Sequence, residues 1–158
     1  MDNKKSKPGF LVVGDYCTDK FTYCDGVKIS AEAPVLVLRP KHTDQNPGMA
    51  GNLARNLESL GAQITLISNN NGITKTRFMD EKSGHYFFRL DENDYVEEHL
   101  TIEELDNRLS KFNKTIKDYD FVCVADYNKG FLNIETLKYI GDSAVLSSLD
   151  TKKMIHSK

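Results

Sequence analysis

Aspartates stand where short apolar runs stop: Phe10-Leu-Val-Val-Gly-Asp15, Phe121-Val-Cys-Val-Ala-Asp126 and Ala144 to Leu149 followed by Asp150. Runs of this kind read as buried parallel strands, and in open α/β sheets ligands bind outside the carboxyl ends of the strands. One such acid alone is commonly a solubilising residue or a helix cap. Three together predict a crevice into which the acids crowd. Asp15, Asp19, Asn52, Lys75, Arg89 and Asp91 add a mixture of donors and acceptors at predicted strand and helix ends. Fixed groups of that mixture suit a polyhydroxylated ligand, a carbohydrate or sugar phosphate. Lys75, Arg77 and Arg89, on strands expected to pair, have the charge to neutralise a phosphate, or equally to form a solvated hairpin face.

Pro47-Gly-Met-Ala-Gly-Asn52 sets glycines directly before a predicted helix. Free backbone N–H groups and the helix dipole there favour an anion or a polar oxygen, although glycine in that place also serves close packing. Neither Gly-x-x-x-x-Gly-Lys nor Gly-x-Gly-x-x-Gly occurs, so a Walker cradle and a dinucleotide fingerprint are both absent. His42, His85, His99 and His156 lack ligand spacing, and Cys17, Cys24 and Cys123 lack a Cys-x-x-Cys pattern. They read as surface histidines and reduced thiols, and no metal site is predicted.

The elements that must position these residues follow from periodicity. Phe10–Val13 is the first core strand. Residues 16–41 run through Phe21–Tyr23, Val27–Ile29 and Val35–Leu38, short strand-like pieces that read as a small β excursion from the main sheet. Met49, Leu53, Leu57 and Leu60 recur at helical spacing, with Gly61 as the C-terminal cap. Gln63–Ile67 is a strand, Asn69-Asn-Asn-Gly72 a turn, and Lys75–Phe78 with His85–Leu90 a hairpin. Thr101-Ile-Glu-Glu104 predicts a capping box, with Leu105, Leu109, Phe112 and Ile116 on one face of the helix it opens. Asn133 caps a helix reaching about Ile140.

The chain has 158 residues, enough for one core, and 39% of them are hydrophobic, too many for a disordered chain. One domain is expected. The net charge of −2, with no basic cluster beyond Lys4, Lys5 and Lys7, disfavours nucleic-acid binding. The N-terminal apolar run is too short for a secretory or membrane segment, so a cytoplasmic protein without a membrane partner is expected.

Several segments together carry a resemblance. Val13-Gly-Asp15 with Asp19, then Lys28-Ile-Ser-Ala-Glu-Ala-Pro-Val35, then Pro47-Gly-Met-Ala-Gly-Asn-Leu-Ala-Arg-Asn-Leu57, resemble the opening of ribokinase-like (PfkB) carbohydrate kinases, nearest to the heptose-7-phosphate kinases. Thr74-Lys-Thr-Arg77, Arg89-Leu-Asp91, Ala125-Asp-Tyr-Asn-Lys-Gly130 and Leu149-Asp-Thr-Lys152 resemble later segments, in the family's order and over nearly the whole chain. The resemblance implies an α/β fold: a ribokinase-like, mostly parallel sheet flanked by helices, with a small β lid over approximately residues 16–41. Residues 1–158 would form a partial kinase domain with its C-terminal part missing. It implies ATP-dependent phosphorylation of a sugar or sugar phosphate with Mg²⁺. Asp15, Asp19, Gly48 and Asn52 would bind sugar hydroxyls, Lys75, Arg89 and Asp91 would surround the acceptor pocket, and Asp126 and Lys129 would lie near the phosphoryl-transfer zone. Lid strands pair some members into dimers.

Departures from the pattern matter as much. Met49 and Gly51 replace a glycine and an alanine, and between Ile67 and Thr74 an asparagine-rich turn replaces a helix and a strand. The family's Asn-x-x-Glu segment and its Gly-Ala-Gly-Asp anion hole, with the general base, do not occur. This chain alone is therefore expected to be inactive or incomplete, without a nucleotide site. The alternative is a non-catalytic sugar-binding or dimerisation module.

Overall fold

The computed structural model describes residues 7–70 and 72–154; Lys4, Lys5, Asn71 and His156 lie outside the described residues. Along the chain come β1 (Gly9–Gly14), β2 (Tyr16–Ile29), β3 (Leu36–Met49), α1 (Ala50–Ser59), β4 (Gln63–Ser68), β5 (Thr74–Asp80) and β6 (Tyr86–Glu92). After them come α2 (Ile102–Ser110), a 3-10 turn (Ile116–Asp118), β7 (Phe121–Asp126), α3 (Ile134–Ser143) and β8 (Ser147–Thr151).

The first sheet has the order β4-β1-β7-β8 and is parallel throughout. Its central strands are apolar from Phe10 to Val13 and from Phe121 to Ala125 because both faces are covered. Leu11, Val13, Val122 and Val124 face a core with Leu105 and Leu109 of α2 and Ile140 of α3. Val12, Cys123 and Ala125 face the other way, against Ala50 and Ala54 of α1. The small residues of α1 let that helix lie close on the sheet. Its C-terminus closes as the sequence predicts: Gly61, at φ 93°, donates its N–H to Glu58 O (2.9 Å), and Ala62 donates to Leu57 O (3.2 Å). This is the doubled hydrogen bond of a left-handed cap.

The second sheet has the order β3-β2-β5-β6 and is larger than the excursion expected over residues 16–41. β2 and β3 are single strands of 14 residues each, paired antiparallel with irregularities after Tyr23 and Asp25, and β5 and β6 extend the same sheet. The stretch His42–Asn46 gives no apolar signal, yet it is strand because its backbone pairs with β2. Pro40 and Pro47 are tolerated because β3 is an edge strand.

Two expectations need correction. α2 stops at Ser110, short of Phe112 and Ile116: Asn113 takes φ 53°, Phe112 is 54% exposed, and Ile116 joins the core from the 3-10 turn. The capping box at Thr101 forms only by half. Thr101 Oγ1 accepts from the Glu104 N–H (3.1 Å), while the Glu104 carboxylate goes to Arg108.

Candidate functional site

Where β1 ends, the chain crosses from the first sheet to the second. Gly14 packs against the Ala125 backbone so closely that a side chain there would strike the Ala125 carbonyl. Asn69, just past β4, pins the crossing, since its Oδ1 accepts from the Tyr16 N–H (2.6 Å) and its Nδ2 donates to the Tyr16 O (3.1 Å). Asp15 lies between, fully buried, and its Oδ2 accepts from the backbone N–H groups of Tyr127 (2.7 Å) and Lys129 (3.3 Å). Burial pushes its carboxyl above the ordinary carboxylate value, against the lowering effect of those hydrogen bonds. Among the described residues its Oδ1 has no hydrogen-bond partner.

Between the two sheets opens a cavity of about 400 Å³. The second sheet contributes Cys17, Asp19, Gly48, Met49, Lys75, Arg77, Arg89 and Asp91, and the turn after β6 adds Asp94. α1 contributes Asn52, and the carboxyl edge of the first sheet contributes Tyr127, Lys129 and Lys152. Strand register explains the arrangement. Asp19, Lys75 and Asp91 are cross-strand partners in one row, and Phe21, Arg77 and Arg89 form the next row. A separation of two residues puts both rows on the same face.

The charges in this face interlock. Arg77 Nη1 donates to Asp19 Oδ1 (2.6 Å). Lys75 Nζ bridges Asp91 Oδ2 (2.9 Å) and Asp94 Oδ1 (2.7 Å); Arg89 Nε closes on Asp91 Oδ1 (2.7 Å), and Lys129 closes on Asp94. The result is an alternating chain, Arg89–Asp91–Lys75–Asp94–Lys129. Burial acts to lower Lys75, but its hydrogen bonds to Asp94 and Asp91 outweigh it and hold the ammonium above its usual value. Asp91 and Asp94 are held below the usual carboxylate range, because their cationic partners outweigh a desolvation that acts the other way. Desolvation, with Asp19 second, pushes the Cys17 thiol up to about 11 and keeps it protonated.

Gly48 leaves room for this face: a side chain there would press on the Asp19 carboxylate and Cys17 Sγ. Met49 holds φ 53°, a conformation that costs a residue with a side chain roughly 1–3 kcal/mol and that glycine adopts freely. The replacement of glycine by methionine thus leaves the backbone turn at the head of α1 in a glycine-like state.

Of the residues singled out in the sequence, the cavity brings together Asp19, Gly48, Asn52, Lys75, Arg89, Asp91 and Lys129. Asp15 and Asp126 are not in its lining. Asp126 is 1% exposed, and both its oxygens take the Lys153 ammonium at 2.8 Å while Thr151 Oγ1 donates to Oδ2 (2.7 Å). Its carboxylate is engaged in locking β7 to β8. The expected crowding of three acids is also corrected, since Asp150 is exposed and Thr151 takes the place beside Asp126. Sequence reasoning missed Asp94 altogether. It lies beyond the last strand residue, and nothing but its place three residues after Asp91 marks it. A second hollow of about 800 Å³ shares Asp94 but is lined by Glu97, Glu98 and Glu104 against the single cation Arg108, which Glu104 and the Ser68 carbonyl (2.8 Å) already hold. The smaller cavity is the candidate site because the predicted polar residues converge there.

A parallel sheet with a second sheet across its carboxyl edge and a charged cavity between them is a fold shared with solved carbohydrate kinases. Among solved structures, Escherichia coli phosphofructokinase-2 in complex with fructose-6-phosphate matches with a TM-score of 0.56 and 13% identity, over 92% of this chain and 56% of that one. A carbohydrate kinase from Agrobacterium tumefaciens matches with a TM-score of 0.50 and 17% identity, over 74% of this chain and 45% of that one. Among curated proteins, the chain is a homologue of part of the bifunctional protein HldE. It is 32% identical to that of Campylobacter jejuni (strain RM1221) over 157 residues, 86% of this chain and 33% of the relative. For the same protein of a Nitratiruptor species the figure is 32% over 173 residues, 92% of this chain and 37% of the relative. The chain thus spans about a third of the length of the curated relatives it matches. No family model matches it.

Proposed function

We propose that this chain is the sugar-binding part of a cytoplasmic, ATP-dependent carbohydrate kinase whose acceptor is a sugar phosphate of the heptose 7-phosphate kind. The observation that carries the reading is the cavity between the sheets. Five cationic side chains face three carboxylates there, with Asn52 at the head of α1, in a chain homologous to a third of the HldE proteins. Asp19 and Asn52 supply acceptors and donors for hydroxyls, and the surplus positive charge suits a phosphate. The second sheet would act as the lid, binding and orienting the acceptor while excluding water.

The described residues do not fit the nucleotide end of such a reaction. Among them Asp126 is engaged with Lys153, and Asp19, Asp91 and Asp94 are engaged with cations, so each of these carboxylates is already paired where Mg²⁺ would need one or two beside the substrate phosphates. Mg²⁺, ATP and the base therefore belong to the reading of a complete kinase, and no proton or phosphoryl transfer is assigned to these side chains. No helix among the described residues is long and apolar enough to cross a membrane.

Calorimetric titration with D-glycero-D-manno-heptose 7-phosphate, beside a coupled ATPase assay, tests the reading. Binding without nucleotide and without turnover is expected. Failure to bind the sugar phosphate overturns the sugar-site assignment, and turnover by this chain alone overturns the division of labour.

One observation favours a second reading, a sugar-binding or dimerisation module without catalysis. Tyr86, Phe88 and Leu90 are 60%, 48% and 46% exposed at a spacing of two along the edge strand β6. An exposed apolar edge invites pairing with a second copy. Light scattering that finds a dimer, dispersed by Phe88→Asp, would select that module.

A further inference from the structure

Five cations line the cavity, and four of them are already held by carboxylates: Lys75 by Asp91 and Asp94, Arg77 by Asp19, Arg89 by Asp91, and Lys129 by Asp94. Lys152 differs. Among the described residues no carboxylate pairs with its ammonium, which lies 4.7 Å from the centroid of the Tyr127 ring, a residue of the same lining. A cation over an aromatic face is held in place without being neutralised.

The local backbone explains why Lys152 faces the cavity while its neighbour does not. The Lys152 N–H donates to the Asp126 O (2.9 Å), which ties the chain just past β8 to the end of β7. Lys153 turns back into the protein, its Nζ bonded to both Asp126 oxygens and to the Leu132 carbonyl (2.7 Å). The chain bends just past β8, and the two ammoniums part there: Lys153 goes to Asp126, while Lys152 lies over the Tyr127 ring in the cavity lining. It thus stands on the wall of the cavity formed by the first sheet, while Arg77 and Arg89 stand on the wall formed by the second. Five cations against three carboxylates leave a surplus of two positive charges in the lining. Neutral sugar hydroxyls give no use for that surplus; an oxyanion does.

We propose that Lys152 is an anion-contacting, specificity-determining residue of this cavity, whose ammonium holds a phosphoryl oxygen of the ligand from the first-sheet side. The inference rests on the sugar-phosphate reading and deepens it by naming the residue that separates phosphorylated from free sugars. A phosphoryl group reaches such a position from the acceptor sugar or from a nucleotide, and the probes below distinguish the two.

The experiment titrates the full chain at low ionic strength with D-glycero-D-manno-heptose 7-phosphate, D-mannose and ATP, for the wild type, Lys152→Gln and Lys152→Arg. Loss of one charge-assisted hydrogen bond predicts about tenfold weaker heptose 7-phosphate binding in Lys152→Gln. Mannose binding should be unchanged, and Lys152→Arg should restore most of the affinity. Because Lys152 is exposed, the thermal melt of both variants should match the wild type. A loss confined to ATP supports the phosphoryl contact and assigns it to the nucleotide. If the wild type binds ATP through Lys152 but neither sugar, the anion contact stands and the sugar reading falls. Equal losses for mannose and heptose 7-phosphate, no loss with either phosphate probe, or a wild type that binds no phosphate-bearing probe each overturn the proposal.

Discussion

Replacing Lys75 by methionine keeps the apolar stem and removes the ammonium that joins Asp91 to Asp94. The side chain is 10% exposed, and its two ion pairs measure 2.9 and 2.7 Å. Deleting one partner of a fully buried pair costs about 3–5 kcal/mol because the other charge is stranded. Here Asp91 and Asp94 are 23% and 33% exposed and keep Arg89 and Lys129, so the stranded carboxylates are only part-buried and still partnered. The expected cost is therefore about 2–3 kcal/mol, lowering the melting temperature by about 5–10 °C for a chain of this size. Urea unfolding followed by far-UV circular dichroism should show a lower midpoint with an unchanged slope.

The pH dependence gives the sharper check. Asp91 and Asp94 have lowered values in the folded state, so their contribution is present above the ordinary carboxylate value and lost as pH falls through the lowered one. Lys75 has a raised value, so its contribution is present below the ordinary lysine value and lost as pH rises through the raised one. The gap between wild type and Lys75→Met should be flat from about pH 5 to 9 and shrink at both extremes. A cost below about 0.5 kcal/mol, or a gap undiminished in acid, would refute the interlocked chain of charges.

Asp15→Asn should stabilise the protein by about 1 kcal/mol at pH 7, because the buried carboxylate has a raised pKa and an oxygen without a partner among the described residues. An acid whose value is raised on folding loses stability as pH climbs through the interval between its two values, so the gain should vanish near pH 3, where Asp15 is protonated in both states. Gly48→Ala pushes a methyl into the Asp19 carboxylate and Cys17 Sγ; titration should show sugar-phosphate affinity falling at least about tenfold. Asn69→Ala leaves the Tyr16 N–H and C=O without their shared partner and should cost about 1–3 kcal/mol in urea unfolding.

β1 and β7 were legible because strands buried on both faces leave unbroken apolar runs, as at Phe10–Val13 and Phe121–Ala125, whereas β8, expected as a buried run over Ala144 to Leu149, is an exposed edge strand over Ser147–Thr151. α1 was legible from its helical spacing and the glycine at its end. The second sheet was only partly so, because β3 carries Lys41, His42, Asp44 and Gln45 on an edge, where pairing rather than burial makes the strand. Of the site, Asp19, Lys75, Arg89 and Asp91 could be named from their types and positions. Their partners could not, since the Asp19–Lys75–Asp91 row exists only through the register of three strands far apart in sequence. Asp94 and Lys152 lie just beyond strand ends, where periodicity says nothing about the direction of a side chain.

The most direct test of the cavity as a sugar-phosphate site is a backbone amide map of the chain titrated with D-glycero-D-manno-heptose 7-phosphate. Shifts centred on Asp19, Gly48 to Asn52, Lys75, Arg89 to Asp94 and Tyr127 to Lys129 are predicted. Shifts centred instead on Glu97, Glu98 and Arg108, or none at saturating ligand, would contradict it.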